Sequence, residues 1–204
     1  MVPRYICSYL RSFVFVSGGI IMIYMIAGKA RSGKNTLAGM IEEELEKRGR
    51  KVCNIELMRT LKGYAKDYFG WDGKDETKPR DLLQKFGTEI IREKMNKPLF
   101  HINRLLEDIE ILANFFDDFI VDDVRFPLEF EKIKEKYPDS IAIHVIRDNY
   151  EHESMTDEQK RHITENALDG YDVYDKIIHN ITLEKLNMDA ISLVREVEDN
   201  EKND

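Results

Sequence analysis

Residues 23–36, IYMIAGKARSGKNT, constrain the fold more than any other stretch of this chain. An apolar run ends at Gly28, and Gly33 and Lys34 follow at a spacing close to the phosphate-binding pattern G-x-x-x-x-G-K-[ST]. Glycines suit this loop because backbone N–H groups that point inward around a phosphate adopt conformations that a side chain hinders. A helical pattern begins directly afterwards, so a helix N-terminus faces the same anion. The stretch therefore predicts a strand, a phosphate loop and a helix, with Lys34 reaching the outer phosphates.

Asn35 is the one departure from that pattern, because the motif has a hydroxyl at this position. In many ATPases and GTPases this hydroxyl ligates Mg²⁺ directly, and an asparagine is a weaker ligand. Thr36 comes one place later, where adenylate kinases, which carry Gly-Lys-Gly-Thr, also have their threonine. The exchange disfavours a GTPase-like switch. It favours phosphotransfer to a small molecule, with Mg²⁺ held mostly by the nucleotide and by water.

Composition bounds the remaining possibilities. A chain of 204 residues suits one domain. Its net charge of -8 argues against binding DNA or RNA, which needs a basic face. Its two cysteines form no disulfide framework or metal site, so a reducing cytoplasm is the expected location.

The N-terminal segment allows two interpretations. Arg4 and Arg11 precede an uncharged apolar run, as in a signal peptide or a short membrane anchor. However, residues 21–27 are the only candidate for the strand that carries the phosphate loop. We therefore expect residues 1–20 to be a disordered or non-native extension, and we expect no membrane segment.

Helical and strand patterns alternate along the chain, which predicts βαβ units. The expected fold is a three-layer α/β/α arrangement with a mainly parallel sheet of about five strands. The expected organisation is a single domain over 21–199 with a monophosphate-binding insertion at about 58–115, a lid at about 148–165 and a frayed tail at 200–204.

The segment FIVDDVRFPLE places Asp122 and Asp123 where a predicted buried strand ends. Ligands of parallel sheets lie beyond the carboxyl ends of the strands, so an acid here can hold a Mg²⁺-bound water or orient a phosphate acceptor. Successive strand residues face opposite sides, so only one of the two acids is expected to face the loop. The residues do not decide which, and Asp123 is our candidate. The alternative is that both acids only cap the next helix.

Four segments occur in an order that resembles a known family: GKARSGKNT, LLQKFGTEIIRE, VDDVRFPLEFEKI and HITENALDGYDVYDKIIHN. Together they resemble the bacteriophage-type deoxynucleoside monophosphate kinases, within the P-loop nucleoside monophosphate kinase group. The resemblance spans residues 25 to about 187, although members usually carry aspartate at position 35. It implies transfer of the γ-phosphoryl group of ATP to a (deoxy)nucleoside 5′-monophosphate with Mg²⁺. It leaves a homodimer open.

The resemblance also assigns roles. KPRDLLQKFGTEIIRE matches the monophosphate-binding segment, in which four polar side chains are each four residues apart and share one slanting helix face. The alternative is a solvated helix with Arg92 paired to Glu89 or Asp81. The ATP phosphates are assigned to Gly28, Lys29, Ala30, Arg31, Ser32, Gly33, Lys34, Asn35 and Thr36; the acceptor to Arg80, Gln84, Thr88, Arg92 and Arg125; and catalysis to Lys34, Asp123 (which also holds the metal, through water) and Arg147.

A polar stretch after the fourth strand corresponds to the lid of these kinases. Its cations, Arg147, Lys160 and Arg161, are candidates for stabilising charge on the transferring group, and His162 and Glu165 for anchoring the lid. Trp71 could stack on a base, but the sequence favours a place in the core.

Two alternatives stay open at this point. One keeps the ATP site and changes the acceptor, as in dephospho-coenzyme A kinases or phosphomevalonate kinases. The other is a nucleotide-binding protein without transfer activity. The sequence does not decide which base is accepted, or whether the sugar is ribose or deoxyribose.

Overall fold

The computed structural model describes residues 21–147 and 166–201. Within them, five parallel strands form one sheet in the order β2-β3-β1-β4-β5, as the sequence predicts. The predicted extension at 1–20, the lid at 148–165 and the tail from 202 onward lie outside the described residues. The strands are β1 Met22–Ala27, β2 Val52–Asn54, β3 Asp118–Val121, β4 Ile141–Ile146 and β5 Lys176–His179.

Helices cover both faces of the sheet. They are α1 Lys34–Lys47, α2 Arg59–Phe69, α3 Arg80–Gln84 with a π-helical continuation Lys85–Lys94, α4 Phe100–Leu112, α5 Pro127–Lys136 and α6 Leu183–Glu201. No helix among the described residues is both long and apolar enough to cross a membrane.

The central strand β1 explains why the sheet needs two helical layers. All six of its residues are buried, and successive side chains point to opposite faces. Tyr24 and Ile26 pack in a cluster with α1 and α6. Ile23 and Met25 pack in a second cluster with α4 and α5. An apolar run without polar alternation is what a parallel strand buried on both sides requires.

Strand β2 is short, although the apolar pattern of KVCNIEL at 51–57 predicts a strand over all seven residues. It ends at Asn54 because the chain turns there toward Asp123, whose carboxylate accepts the N–H groups of Leu57 and Met58. A short strand followed by an anchored turn places α2 beside the carboxyl end of the sheet.

A third, smaller cluster joins α2 to α3 and its continuation through Leu61, Ala65, Leu83 and Ile91. Trp71 packs against it, and its Nε1 donates to the Lys74 carbonyl at 3.0 Å, in agreement with the core position favoured from the sequence.

The π-helical continuation was not predicted. Its N–H groups reach back five or six residues at its end, as in Met95 N–H to Ile90 O at 2.8 Å. Gly87 lies in it, where a Cβ would be 3.1 Å from Met58 Cε and 3.5 Å from Leu61 Cδ1. The glycine thus allows the widened helix to lie close against α2.

Candidate active site

The phosphate loop joins β1 to α1 and has the backbone conformation that its glycines predict. Gly33 has a φ of 106° and Arg31 a φ of 58°, both in the left-handed region. A Cβ at Gly33 would be 2.3 Å from Asn180 Nδ2, and one at Gly28 would be 2.4 Å from the Val145 carbonyl oxygen. The loop is therefore packed too closely to accept side chains at either glycine.

Lys34 lies across this loop. The residue is buried, and its Nζ donates to the carbonyl oxygens of Gly28 at 2.8 Å and Lys29 at 2.9 Å. Asn180, one residue beyond β5, donates from Nδ2 to the Ser32 carbonyl at 2.8 Å. Sequence reasoning missed Asn180, although its place at the carboxyl end of a strand was a signal.

A cleft extends from the loop toward the end of β5. It brings together five residues predicted for the donor nucleotide and the predicted catalytic Arg147, which follows β4. Gly28 and Lys29 line a neighbouring cavity, Ala30 is half-buried and Ser32 is buried. The cleft is lined by Arg31, Gly33, Lys34, Asn35, Thr36 and Arg147 on one side, and by Asn180, Ile181, Thr182 and Leu183 on the other.

The two acids after β3 have different surroundings. Asp123 accepts the N–H of Leu57 at 2.8 Å and of Met58 at 3.1 Å, and it lines a separate cavity described below. Burial, followed by the charge of Glu56, raises the pKa of Asp123 in spite of these two bonds. Its carboxylate holds the turn that starts α2.

Asp122 is buried as well, with 7% of its surface exposed. Burial and then the charge of Asp123 raise the pKa of Asp122 to about 6, whereas Lys62 and Lys34 act in the opposite direction. The charge of Lys34 therefore acts on Asp122, whereas the Asp123 carboxylate is held by the N–H groups of Leu57 and Met58.

The separate cavity lies between α2, α3 with its continuation, and the segment after β3. It brings together all five residues predicted for the acceptor with Asp123. Over four residues the chain rotates slightly more than one full turn in an α-helix and slightly less than one in a π-helix. The two deviations offset each other, so the stripe from Arg80 to Arg92 stays on one face. We call this the acceptor cavity; its lining includes Arg80, Gln84, Thr88, Arg92, Asp123 and Arg125, and also Lys62, Lys78, His101 and Glu129, which sequence reasoning missed.

Arg92 has a partner that helix spacing does not reveal. Its Nη2 donates to Glu129 Oε1 at 2.6 Å, and its guanidinium lies 3.9 Å from the ring centroid of Phe126. Glu129 Oε2 accepts the N–H groups of Arg125 and Phe126, which caps the start of α5. The partners considered from the sequence, Glu89 and Asp81, lie in the same helical segment as Arg92, whereas Glu129 comes from another element.

We expect Arg92→Met to lower the free energy of unfolding by about 3 kcal/mol, because it leaves the buried Glu129 carboxylate without its cation. Urea denaturation of both proteins measures the difference. The double variant Arg92→Met/Glu129→Gln is the control, since it also removes the buried charge, and it should recover most of the loss. A single variant as stable as the unmodified protein would show that the ion pair contributes nothing.

Three cations line one end of the acceptor cavity. Lys62 pairs with Glu56, and Lys78 is partly buried near both Lys62 and Arg80. Burial and then the charge of Lys62 lower the pKa of Lys78. Cations held this close repel one another, so an anion bound between them would be stabilised.

The fold and these two cavities define a class of protein. A phosphate loop with its lysine, beside a separate cation-lined cavity at the same edge of a parallel sheet, is the arrangement of a small-molecule kinase with a P-loop. The family model for deoxynucleotide monophosphate kinase matches residues 55–189, and the chain belongs to this family. The protein is a nucleotide kinase, as the resemblance implies. The matched segment starts after the phosphate loop, so the loop is a second, separate indication.

Comparisons beyond the family are distant. No curated protein matches the sequence. Among solved structures, the APS kinase of Mycobacterium tuberculosis is similar with 13% identity and a TM-score of 0.48, over 87% of this chain and 97% of that one. A sugar kinase from a Janibacter species is similar with 15% identity and a TM-score of 0.47, over 89% and 95%.

Proposed function

We propose that this kinase transfers the γ-phosphoryl group of ATP, bound with Mg²⁺, to a (deoxy)nucleoside 5′-monophosphate. The observation that carries the proposal is the pair of cavities, one built on the phosphate loop with Lys34 and one lined by the cations Lys62, Lys78 and Arg80. Phosphoryl transfer depends mainly on holding two anionic groups in line and on stabilising the charge between them.

On the donor side, the loop amides and Lys34 would hold the ATP phosphates, and Arg147 would act at the mouth of the cleft. Ile181 and Leu183 line the far end of the cleft with 71% and 62% of their surfaces exposed. Exposed apolar side chains at this position fit the flat face of the adenine base. The cleft therefore offers complementary surfaces to both ends of ATP.

The residues present fit Mg²⁺ that is held largely by phosphates and water. The described residues contain no cluster of three or more acidic, histidine or cysteine ligands, and Mg²⁺ commonly keeps several waters and takes one or two carboxylates. Asp123 was the sequence-based candidate and stays a prediction. We favour Asp122, because the charge of Lys34 acts on its carboxylate, while both oxygens of Asp123 already accept N–H groups from Leu57 and Met58. Mg²⁺ would neutralise part of the charge on the transferring group.

On the acceptor side, the monophosphate would lie against Lys62, Lys78 and Arg80, with Arg125 beside it. One of its oxygens attacks the γ-phosphorus, the bond from this phosphorus to the β–γ bridging oxygen breaks, and ADP leaves with the electron pair. The attacking oxygen is already anionic, so this step needs no general base.

We also propose a cytoplasmic location and leave a homodimer as a hypothesis. A free thiol fits a reducing compartment, and Cys53 is one, with burial raising its pKa. Gel filtration of the purified protein tests the oligomeric state.

A coupled assay of ADP release, with ATP, Mg²⁺ and each natural monophosphate in turn, tests the function. We expect turnover with at least one nucleoside or deoxynucleoside monophosphate, and none with dephospho-coenzyme A or phosphomevalonate. Turnover with dephospho-coenzyme A or phosphomevalonate, and with no nucleoside monophosphate, would contradict the proposed acceptor. ATP binding without transfer to any acceptor would contradict the activity itself.

Lys78→Met should raise the KM for the monophosphate about tenfold and leave the KM for ATP unchanged, because Lys78 lines only the acceptor cavity. Initial rates at saturating ATP measure the first effect, and rates at saturating acceptor the second. Lys74→Met is the matched control, since Lys74 is an exposed lysine in the same loop and lines neither cavity. An equal rise in both KM values would argue against a phosphate contact.

A further inference from the structure

Two buried polar side chains face the acceptor cavity and are not used by the proposed mechanism. Thr88 lies on the π-helical continuation and His101 at the start of α4, with 6% and 1% of their surfaces exposed. Among the described residues, Thr88 Oγ1 has no hydrogen-bond partner, and the His101 ring has at most one, the backbone of Gly87, so at least one of its nitrogens is without a partner. Most buried side-chain polar atoms have a partner, so two neighbouring exceptions in the wall of a cavity indicate a ligand.

His101 offers hydrogen bonds rather than charge. Burial and then the charge of Arg92 lower the pKa of His101 to about 4, so the ring is neutral at physiological pH. A neutral imidazole has one N–H donor and one nitrogen acceptor, and a threonine hydroxyl can donate or accept. Neither group suits a phosphate dianion as well as the lysines and arginines of the same cavity do.

The acceptor cavity therefore has two different ends. At one end, Lys62, Lys78 and Arg80 line the cavity, and they lie close enough for the charges of Lys62 and Arg80 to act on Lys78. At the other end, Arg92 is the only ionised side chain that shifts the pKa of His101, and Arg92 is itself paired with Glu129. A nucleoside monophosphate has the same division, with a dianion at one end and an uncharged base at the other.

Gly87 keeps the space beside these groups free. A Cβ at this position would be 3.8 Å from His101 Nε2 and 3.1 Å from Met58 Cε. Because Gly87 has no side chain, no methyl group stands between the imidazole edge of His101 and the widened helix.

We infer that Thr88 and His101 form hydrogen bonds with the edge of the acceptor's nucleobase and set the selectivity among bases. The inference rests on the proposed function, since it requires that the acceptor cavity holds a nucleoside monophosphate. A base edge presents a donor beside an acceptor, and keto and amino bases present them in opposite order. A donor and an acceptor at fixed positions in the cavity therefore pair better with one class of base than with the other.

Thr88→Val and His101→Phe remove these groups at nearly constant shape. We expect each to lower kcat/KM for the preferred monophosphate by roughly 10- to 100-fold, which is the usual discrimination from base-edge hydrogen bonds. The ratio of kcat/KM values between a keto and an amino monophosphate should also change. Thr88→Ser, which keeps the hydroxyl, should retain both the activity and the ratio.

Deoxyribose 5-phosphate, which has the sugar and phosphate but no base, is the decisive probe. Its inhibition constant should be the same within twofold in the unmodified protein, Thr88→Val and Thr88→Ser. If the valine variant weakens this probe as much as the full monophosphate, or leaves every ratio between bases unchanged, base recognition by Thr88 is wrong.

The result separates the two proposals. If the unmodified protein phosphorylates no monophosphate, the proposed function fails. If it does phosphorylate them, and Thr88→Val and His101→Phe both keep its base ratios, only the inference on base recognition fails. Should His101→Phe not fold, His101→Gln replaces it and keeps a donor and an acceptor in altered positions, so a changed base ratio supports the inference and an unchanged ratio overturns it.

Discussion

Lys34→Ala is expected to lower kcat by about 1,000-fold or more while the protein stays folded. The ammonium group lies against the carbonyl oxygens of Gly28 and Lys29, and in the proposed function it stabilises the charge that develops on the transferring phosphoryl group. Removing one preorganised donor of this kind typically costs 100- to 1,000-fold, and the lysine also supplies a full charge. Steady-state rates at saturating ATP and acceptor measure the change.

Lys47→Ala is the matched control for this experiment. Lys47 ends the same helix, is mostly exposed and pairs only with Glu43, so its loss should alter kcat by less than twofold. The thermal midpoints of both variants should be close to that of the unmodified protein. A Lys34→Ala enzyme that keeps a tenth of its turnover would show that the phosphate loop does not hold the reacting group.

The sequence predicted the sheet and the phosphate loop because their determinants are local. An apolar run, two glycines and a lysine at fixed spacing specify β1, the loop and the start of α1, and the structure has them as expected. The five-stranded parallel sheet follows from the alternation of strand and helix patterns.

The parts that were missed depend on contacts between distant segments. Asn180 reaches Ser32 from 148 positions away, and Glu129 reaches Arg92 from 37. No spacing rule connects such pairs. The four-residue spacing that placed Arg80 and Arg92 on one face gave the right cavity, but it could not show the widened helix or the neutral His101 beside it.

The choice between the two acids after β3 shows the same limit. Alternation predicted that Asp122 and Asp123 face different ways, and which of them faces the phosphate loop stays a prediction. Which one faces the loop depends on the turn that Leu57 and Met58 make around Asp123. This turn follows the end of β2 at Asn54, and the sequence pattern did not predict that the strand ends there.

Asp122→Asn should lower kcat by about 100-fold or more and at the same time stabilise the fold at pH 7.5. Activity falls because the carboxylate that would orient the metal-bound water loses its charge. Stability rises because burial and neighbouring acids raise the pKa of Asp122 from 3.8 to about 6, so the charged form is disfavoured in the folded state. A shift of this size corresponds to roughly 2–3 kcal/mol at pH 7.5.

The stability difference between Asp122→Asn and the unmodified protein should depend on pH in one direction. Below about pH 4 the aspartate is protonated in both the folded and the unfolded chain, so the variant has no advantage. Between about pH 4 and pH 6 only the unfolded chain loses the proton, so the unmodified protein becomes less stable as the pH rises. Asparagine does not titrate, and the difference between the two thermal midpoints should grow through this window to roughly 5–10 °C.

Asp123→Asn separates this account from the one in which Asp123 holds the metal. An amide has only one oxygen, so it keeps one of the two bonds to Leu57 and Met58, and the turn that starts α2 should loosen. Its kcat should fall less than that of Asp122→Asn, and its KM for the monophosphate should rise because the turn lines the acceptor cavity. If Asp123→Asn instead loses more turnover than Asp122→Asn, the acid that faces the metal is Asp123. Loosening a turn on the acceptor side would not explain that result, because it removes no charge from the phosphoryl-transfer site.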